Sequence, residues 1–122
     1  MNELAEFKEH MKTRTKKFAH DCVKLTLSFP NNPLGKHVQN QLIRSSTSVA
    51  ANYRASCVAQ TIPSVIAKMS ISIEEADESE FWLEFAKDEH LCGENECFPL
   101  FREAHEITSI LIKSRQTLQK KF

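Results

Sequence analysis

Glycine is nearly missing from this chain: only two of its 122 residues are glycine. Tight hairpins and glycine-rich phosphate loops both need positive φ, which argues against an all-β fold and against a Rossmann-type nucleotide fold. Proline is also scarce, with four residues at three places: Pro30 with Pro33, then Pro63, then Pro99. Net charge is absent, because 16 Lys and Arg oppose 16 Asp and Glu. That balance disfavours a simple basic nucleic-acid module and a polyacidic tail. The mean hydropathy of -0.39 comes with no long apolar run and hence no membrane span. The N-terminal MNELAEFKEHMKTRTKK lacks the apolar core of a signal peptide. Four cysteines in a chain of this size do not resemble a disulfide framework, so a cytoplasmic protein with reduced thiols is expected. One domain built of helices remains.

The prolines suit helix boundaries better than interiors. They divide the chain into helices expected near 3–29, 33–60, 63–90 and 99–120 of a single domain spanning 1–122. Short connections force antiparallel neighbours, so the expected architecture is all-α, an antiparallel up-and-down four-helix bundle. Leu4, Phe7, Met11, Phe18, Cys22, Leu25 and Phe29 form one apolar stripe on the first helix. Arg14 fills the gap in that stripe, so its stem should be partly buried. Segment two is small-sided from Ser45 to Ser56 and reads as a central packing helix. Segment three begins with the stripe Ile62, Ile66, Met69 and Ile73, and the same face then meets Asp77, Glu80 and Glu84. Acids at core positions need partners. Equal-rise geometry between antiparallel helices places Arg44 opposite Glu80, and an Arg44–Glu80 ion pair is expected.

The residues that carry a resemblance are Ser28-Phe29-Pro30, the run Gln41 to Ala55, Ile66 to Met69, Glu74 to Ser79 and Phe81 to Glu84. Over roughly 18–118 the chain resembles the four-helix-bundle family of 23S ribosomal RNA intervening-sequence proteins, most specifically from Arg44 to Ala55. The resemblance implies an up-and-down bundle assembled into a homopentameric ring. It does not imply an activity, since the family is named for a gene location. More distantly, the chain is similar to the accessory variability protein of diversity-generating retroelements, which binds nucleic acid and partners a reverse transcriptase. Many members have a stretch ending in Glu-Gly where this chain has Tyr53-Arg54-Ala55-Ser56, so helix two should run on uninterrupted. Asn52, among alanines, is expected to be a buried amide bonding a neighbouring helix.

Asp77, Glu80 and Glu84 on one face have the residue types of paired catalytic carboxylates or a di-metal bundle site. The required Glu-x-x-His pairs are missing, however, and neutralisation by Arg44 and Arg14 is the plainer reading. His90, Cys92, Cys97 and His105 have zinc-ligand chemistry, but their spacing departs from Cys-x2-Cys knuckles. Two reduced loop thiols and two surface histidines explain them more simply. No catalytic motif and no cofactor site is recognised, and no enzymatic activity is expected. Phe81, Trp82 and Phe85 lie off the apolar stripe of segment three; they are either core of a helix buried on more than one side or, the favoured reading, an oligomer interface.

The zero net charge hides segregation. Residues 1–68 hold ten basic and four acidic side chains, net +6; residues 69–112 hold two and twelve, net -10; residues 113–122 add four basic ones. Lys12, Lys16, Lys17 and Lys24 on helix one, with Lys113, Arg115, Lys120 and Lys121 at the C-terminus, are the candidate nucleic-acid contacts, RNA above all. A solvated helix face is the plainer alternative. The competing function is a protein-interaction scaffold, for instance a partner of a polymerase or reverse transcriptase.

Overall fold

In a computed structural model describing residues 2–121, four helices follow one another: α1 (Glu3–Thr26), α2 (Pro33–Val58), α3 (Ile62–Asp88) and α4 (Glu94–Lys121). They pack as an all-α four-helix bundle, with no strand among the described residues. Each of the first three begins with a side-chain cap. Asn2 accepts from Ala5 N at 2.7 Å, Asn32 from Gly35 N at 2.8 Å and Thr61 from Ser64 N at 3.2 Å. Such caps satisfy donors that a helix start otherwise leaves orphaned. Pro33 and Pro63 follow in the first turns of α2 and α3, where a missing N–H costs nothing.

Pro99 behaves differently from the expectation. It lies inside α4, which starts five residues earlier at Glu94. Gly93 supplies the start, its carbonyl accepting from Glu96 N and Cys97 N at 3.0 Å each. The Pro99 ring stands on the exposed side of the helix. Helices α1 to α3 each end two or three residues short of the expected boundary, and α2 is continuous through Tyr53–Ser56 as expected.

The core joins Met11, Phe18, Cys22 and Leu25 of α1 to Leu42, Val49 and Tyr53 of α2, Leu83 of α3, and Ile107 and Leu111 of α4. The stripe of α1 is buried only from Met11 onward; Leu4 is 61% exposed. In α3 the core face passes from Ile73 through Ala76, Ser79, Leu83 and Ala86. Asp77 and Glu84 are therefore exposed and Glu80 half-buried, not set into the core. The expected continuation fails because small residues carry the buried face at that height, and a search for large apolar side chains passes over them.

Alanines and serines bring α2 and α3 close together. Ser72 Oγ donates to Val49 O at 2.8 Å, and Ser79 Oγ lies 2.9 Å from Ser45 Oγ. Inside the bundle these hydroxyls are satisfied by backbone or by one another, which avoids the cost of burying an orphaned polar group. Among the helix pairs in contact, α1 and α4 touch least. Their principal link is Arg14, which grips Glu103 with two hydrogen bonds (2.8 and 2.7 Å) and Glu106 with a third (2.7 Å). Donating hydrogen bonds to the Glu103 carboxylate raises the guanidinium above its ordinary pKa, outweighing the lowering by burial. The stem of Arg14 is partly buried, as its place in the stripe suggested.

Candidate nucleic-acid interface

On α1 the basic residues face outward because Met11, Thr15, Phe18 and Cys22 take the inward positions of the helix. Lys12 and Lys16 line a groove of about 700 Å³ between α1 and α2, together with Arg54 from α2. Its wall is made of small side chains, Ala19, Thr47, Ala50 and Ala51. The Ser/Ala-rich stretch of α2 thus has two faces. Ser45, Ser46, Val49, Tyr53 and Ser56 pack inward, while Thr47, Ala50, Ala51 and Arg54 form one side of the groove. Glu9, 2.6 Å from Lys12, is the only carboxylate among the described residues lining it, and His20 adds an imidazole ring.

The other expected contacts do not converge there. Lys17 pairs with Asp21 at 2.6 Å, which raises its pKa through that hydrogen bond. Lys24 is exposed further along α1. None of Lys113, Arg115, Lys120 and Lys121 lines the groove. Arg115 instead donates to Ser70 Oγ at 3.1 Å on the α3 side, while Lys113, Lys120 and Lys121 are exposed. The sequence reading missed Arg54, although four residues beyond Ala50 on a continuous helix is a signal for the same face.

The Arg44–Glu80 pair is corrected. Arg44 bonds Glu75 at 2.7 Å and also Glu78, whereas Glu80 lies 3.0 Å from His105 Nδ1 on α4. The height was right to within a turn, but Glu80 projects about 200° around the axis from Glu78. With Arg44 48% exposed, the coupling is expected to be below about 1 kcal/mol. A double-mutant cycle by urea unfolding should find Arg44→Ala and Glu78→Ala non-additive, and Arg44→Ala and Glu80→Ala additive. Asn52 also departs from expectation. Its amide donates to Ser48 O and Oγ, at 3.0 and 2.9 Å, within its own helix.

Phe81, Trp82 and Phe85 form one aromatic cluster, with ring centroids 4.9 to 5.9 Å apart. Phe81 is 52% exposed. The indole of Trp82 meets His37 edge-on at 5.5 Å and donates to Glu78 at 3.1 Å. The cluster is thereby held in place on the outer edge between α2 and α3.

Cys92 and Cys97 do not stand as two reduced loop thiols; they are joined as a disulfide, with Cα atoms 6.4 Å apart. Among the described residues no group of three or more His, Cys, Asp or Glu side chains is placed to hold a metal ion. Cys22 is free and fully buried, and burial pushes its thiol pKa well up, so it is chemically quiet. No helix among the described residues is long and apolar enough to cross a membrane.

A family model described as 23S rRNA-intervening sequence protein matches residues 8–113. Among solved structures, a protein with unknown function from the S23 ribosomal protein family of Bacteroides thetaiotaomicron is 28% identical, with a TM-score of 0.80. The match covers 86% of this chain and 97% of that one. No curated protein matches the sequence.

Proposed function

The chain belongs to the 23S rRNA-intervening sequence protein family, and from that premise we propose that it is a non-enzymatic, homo-oligomeric protein that binds RNA through its basic surface. The observation that carries this reading is the α1–α2 groove, where Lys12, Lys16 and Arg54 stand over a small-sided wall. Three cations along one concave strip offer contacts to successive phosphates, and such contacts are insensitive to base sequence. No Phe, Tyr or Trp among the described residues lines the groove, and His20 is the one ring there, so base stacking contributes little. Lys17, Lys24 and the C-terminal Lys113, Arg115, Lys120 and Lys121 extend the positive field beyond it.

Copies associate through Phe81, Trp82 and Phe85, of which Phe81 is exposed and the other two half-buried against the core, in line with the aromatic enrichment of interfaces. A pentamer is the assembly that the family resemblance implies. Light scattering at micromolar concentration should give a mass several times 14.0 kDa, and Phe81→Glu should reduce it to that of the monomer. A monomeric wild-type protein contradicts this part of the proposal.

Binding is tested by fluorescence anisotropy with mixed RNA at about 100 mM salt. The Lys12→Ala/Lys16→Ala/Arg54→Ala variant should bind at least about tenfold more weakly than wild type. A Lys113→Ala/Lys120→Ala/Lys121→Ala variant should lose less. If wild type does not bind RNA even at low salt, the RNA reading is overturned in favour of a scaffold whose assembled copies present charged faces to a protein partner.

A further inference from the structure

A second concavity lies at the end of the bundle where the chain starts α1 and finishes α4. Its volume is about 480 Å³, within the range of small-molecule pockets. All four helices contribute. Tyr53 and Met69, both nearly inaccessible, lie deepest, and Phe7, Ile62, Val65 and Leu118 extend the apolar lining. The charged groups are the second half of the observation. Among the described residues, Lys8 and Lys121 line the cavity and no Asp or Glu does, in a chain with as many acids as bases. Lys8 is half-buried and Lys121 exposed, so neither ammonium group bears the cost of full burial without a partner, and each can lay its stem on apolar surface with its charge in water.

We propose that this end cavity binds a single-chain anionic amphiphile, a medium- or long-chain carboxylate, with its tail against Tyr53 and Met69 and its head group at Lys8 and Lys121. The chemistry selects that class. A neutral chain would leave the two cations unused, and a cationic one would be repelled by them. This site is separate from the α1–α2 groove and does not depend on RNA binding.

The test uses the full chain and four probes by calorimetry: dodecanoate, dodecanol, dodecyltrimethylammonium and phosphatidylglycerol vesicles. Dodecanoate should bind saturably, one per chain, below its micelle concentration, and should slow alkylation of Cys57, a half-buried thiol in the cavity lining. Dodecanol should bind about tenfold more weakly, and the ammonium probe not at all. Lys8→Glu/Lys121→Glu, two changes outside the core, should weaken dodecanoate by about tenfold and leave dodecanol unchanged. Val65→Trp, filling the cavity from a half-buried position, should abolish binding of both. Absence of saturable dodecanoate binding, equal binding of the cationic probe, or binding confined to vesicles overturns the proposal.

Discussion

Gly35→Ala should destabilise the protein by about 2–4 kcal/mol, although glycine to alanine in a helix ordinarily gains about 1 kcal/mol. The reversal comes from the turn between α1 and α2. Gly35 is buried in the first turn of α2, and a Cβ there would lie 2.0 Å from the Pro30 carbonyl oxygen and 3.0 Å from its carbon. That carbonyl has little freedom to retreat. It accepts from Asn32 N at 3.0 Å, while Asn32 itself caps α2 through Gly35 N at 2.8 Å. One substitution therefore strains the turn and the cap together. Gly93 is the control. Its added Cβ would meet only a flexible side-chain oxygen of Glu96 at 3.1 Å, so Gly93→Ala should cost no more than about 1 kcal/mol. Urea unfolding of the two variants measures both. Equal effects would mean that the close approach at Pro30 does not constrain the fold.

Phe18→Ala should cost about 3–5 kcal/mol, and Phe7→Ala less than about 1.5 kcal/mol. The sequence places both phenylalanines on the same stripe of α1, but their surroundings differ. Phe18 is 1% exposed and fully enclosed among core residues of the bundle; Phe7 is 37% exposed at the edge of the end cavity. Truncating Phe18 removes an aromatic ring and leaves a void that packed neighbours fill only partly. Truncating Phe7 enlarges a space already open to water. Thermal unfolding should separate the two clearly, and similar losses would place the N-terminal turns of α1 inside the cooperative core.

The bundle was legible because its signals were local and redundant. Asn32-Pro33 and Pro63 mark helix starts by capping and by tolerating a missing N–H, and the stripe from Met11 to Leu25 has one period throughout. Pro99 misled because proline disfavours a helix interior without forbidding it, and Gly93 offered an earlier start. The core of α3 was misread where Ala76 and Ser79 replace large apolar side chains. A buried serine gives no hydrophobic signal. Arg44 was placed at the correct height and assigned the wrong partner, since height depends on rise alone, whereas partner choice depends on the rotation of each helix about its axis. The lysines of α1 were legible as an outward face. Their convergence with Arg54 was not, because it depends on which side of α1 receives α2.

The most direct measurement is the salt dependence of RNA affinity. Wild type and the Lys12→Ala/Lys16→Ala/Arg54→Ala variant would be titrated with single-stranded RNA between about 50 and about 300 mM salt. Each phosphate contact releases counterions and steepens the log–log slope by roughly 0.7. The groove reading predicts that the variant's slope is shallower by roughly 2, with weaker binding at every salt concentration. Parallel slopes for the two proteins would contradict it and remove the α1–α2 groove from the interface.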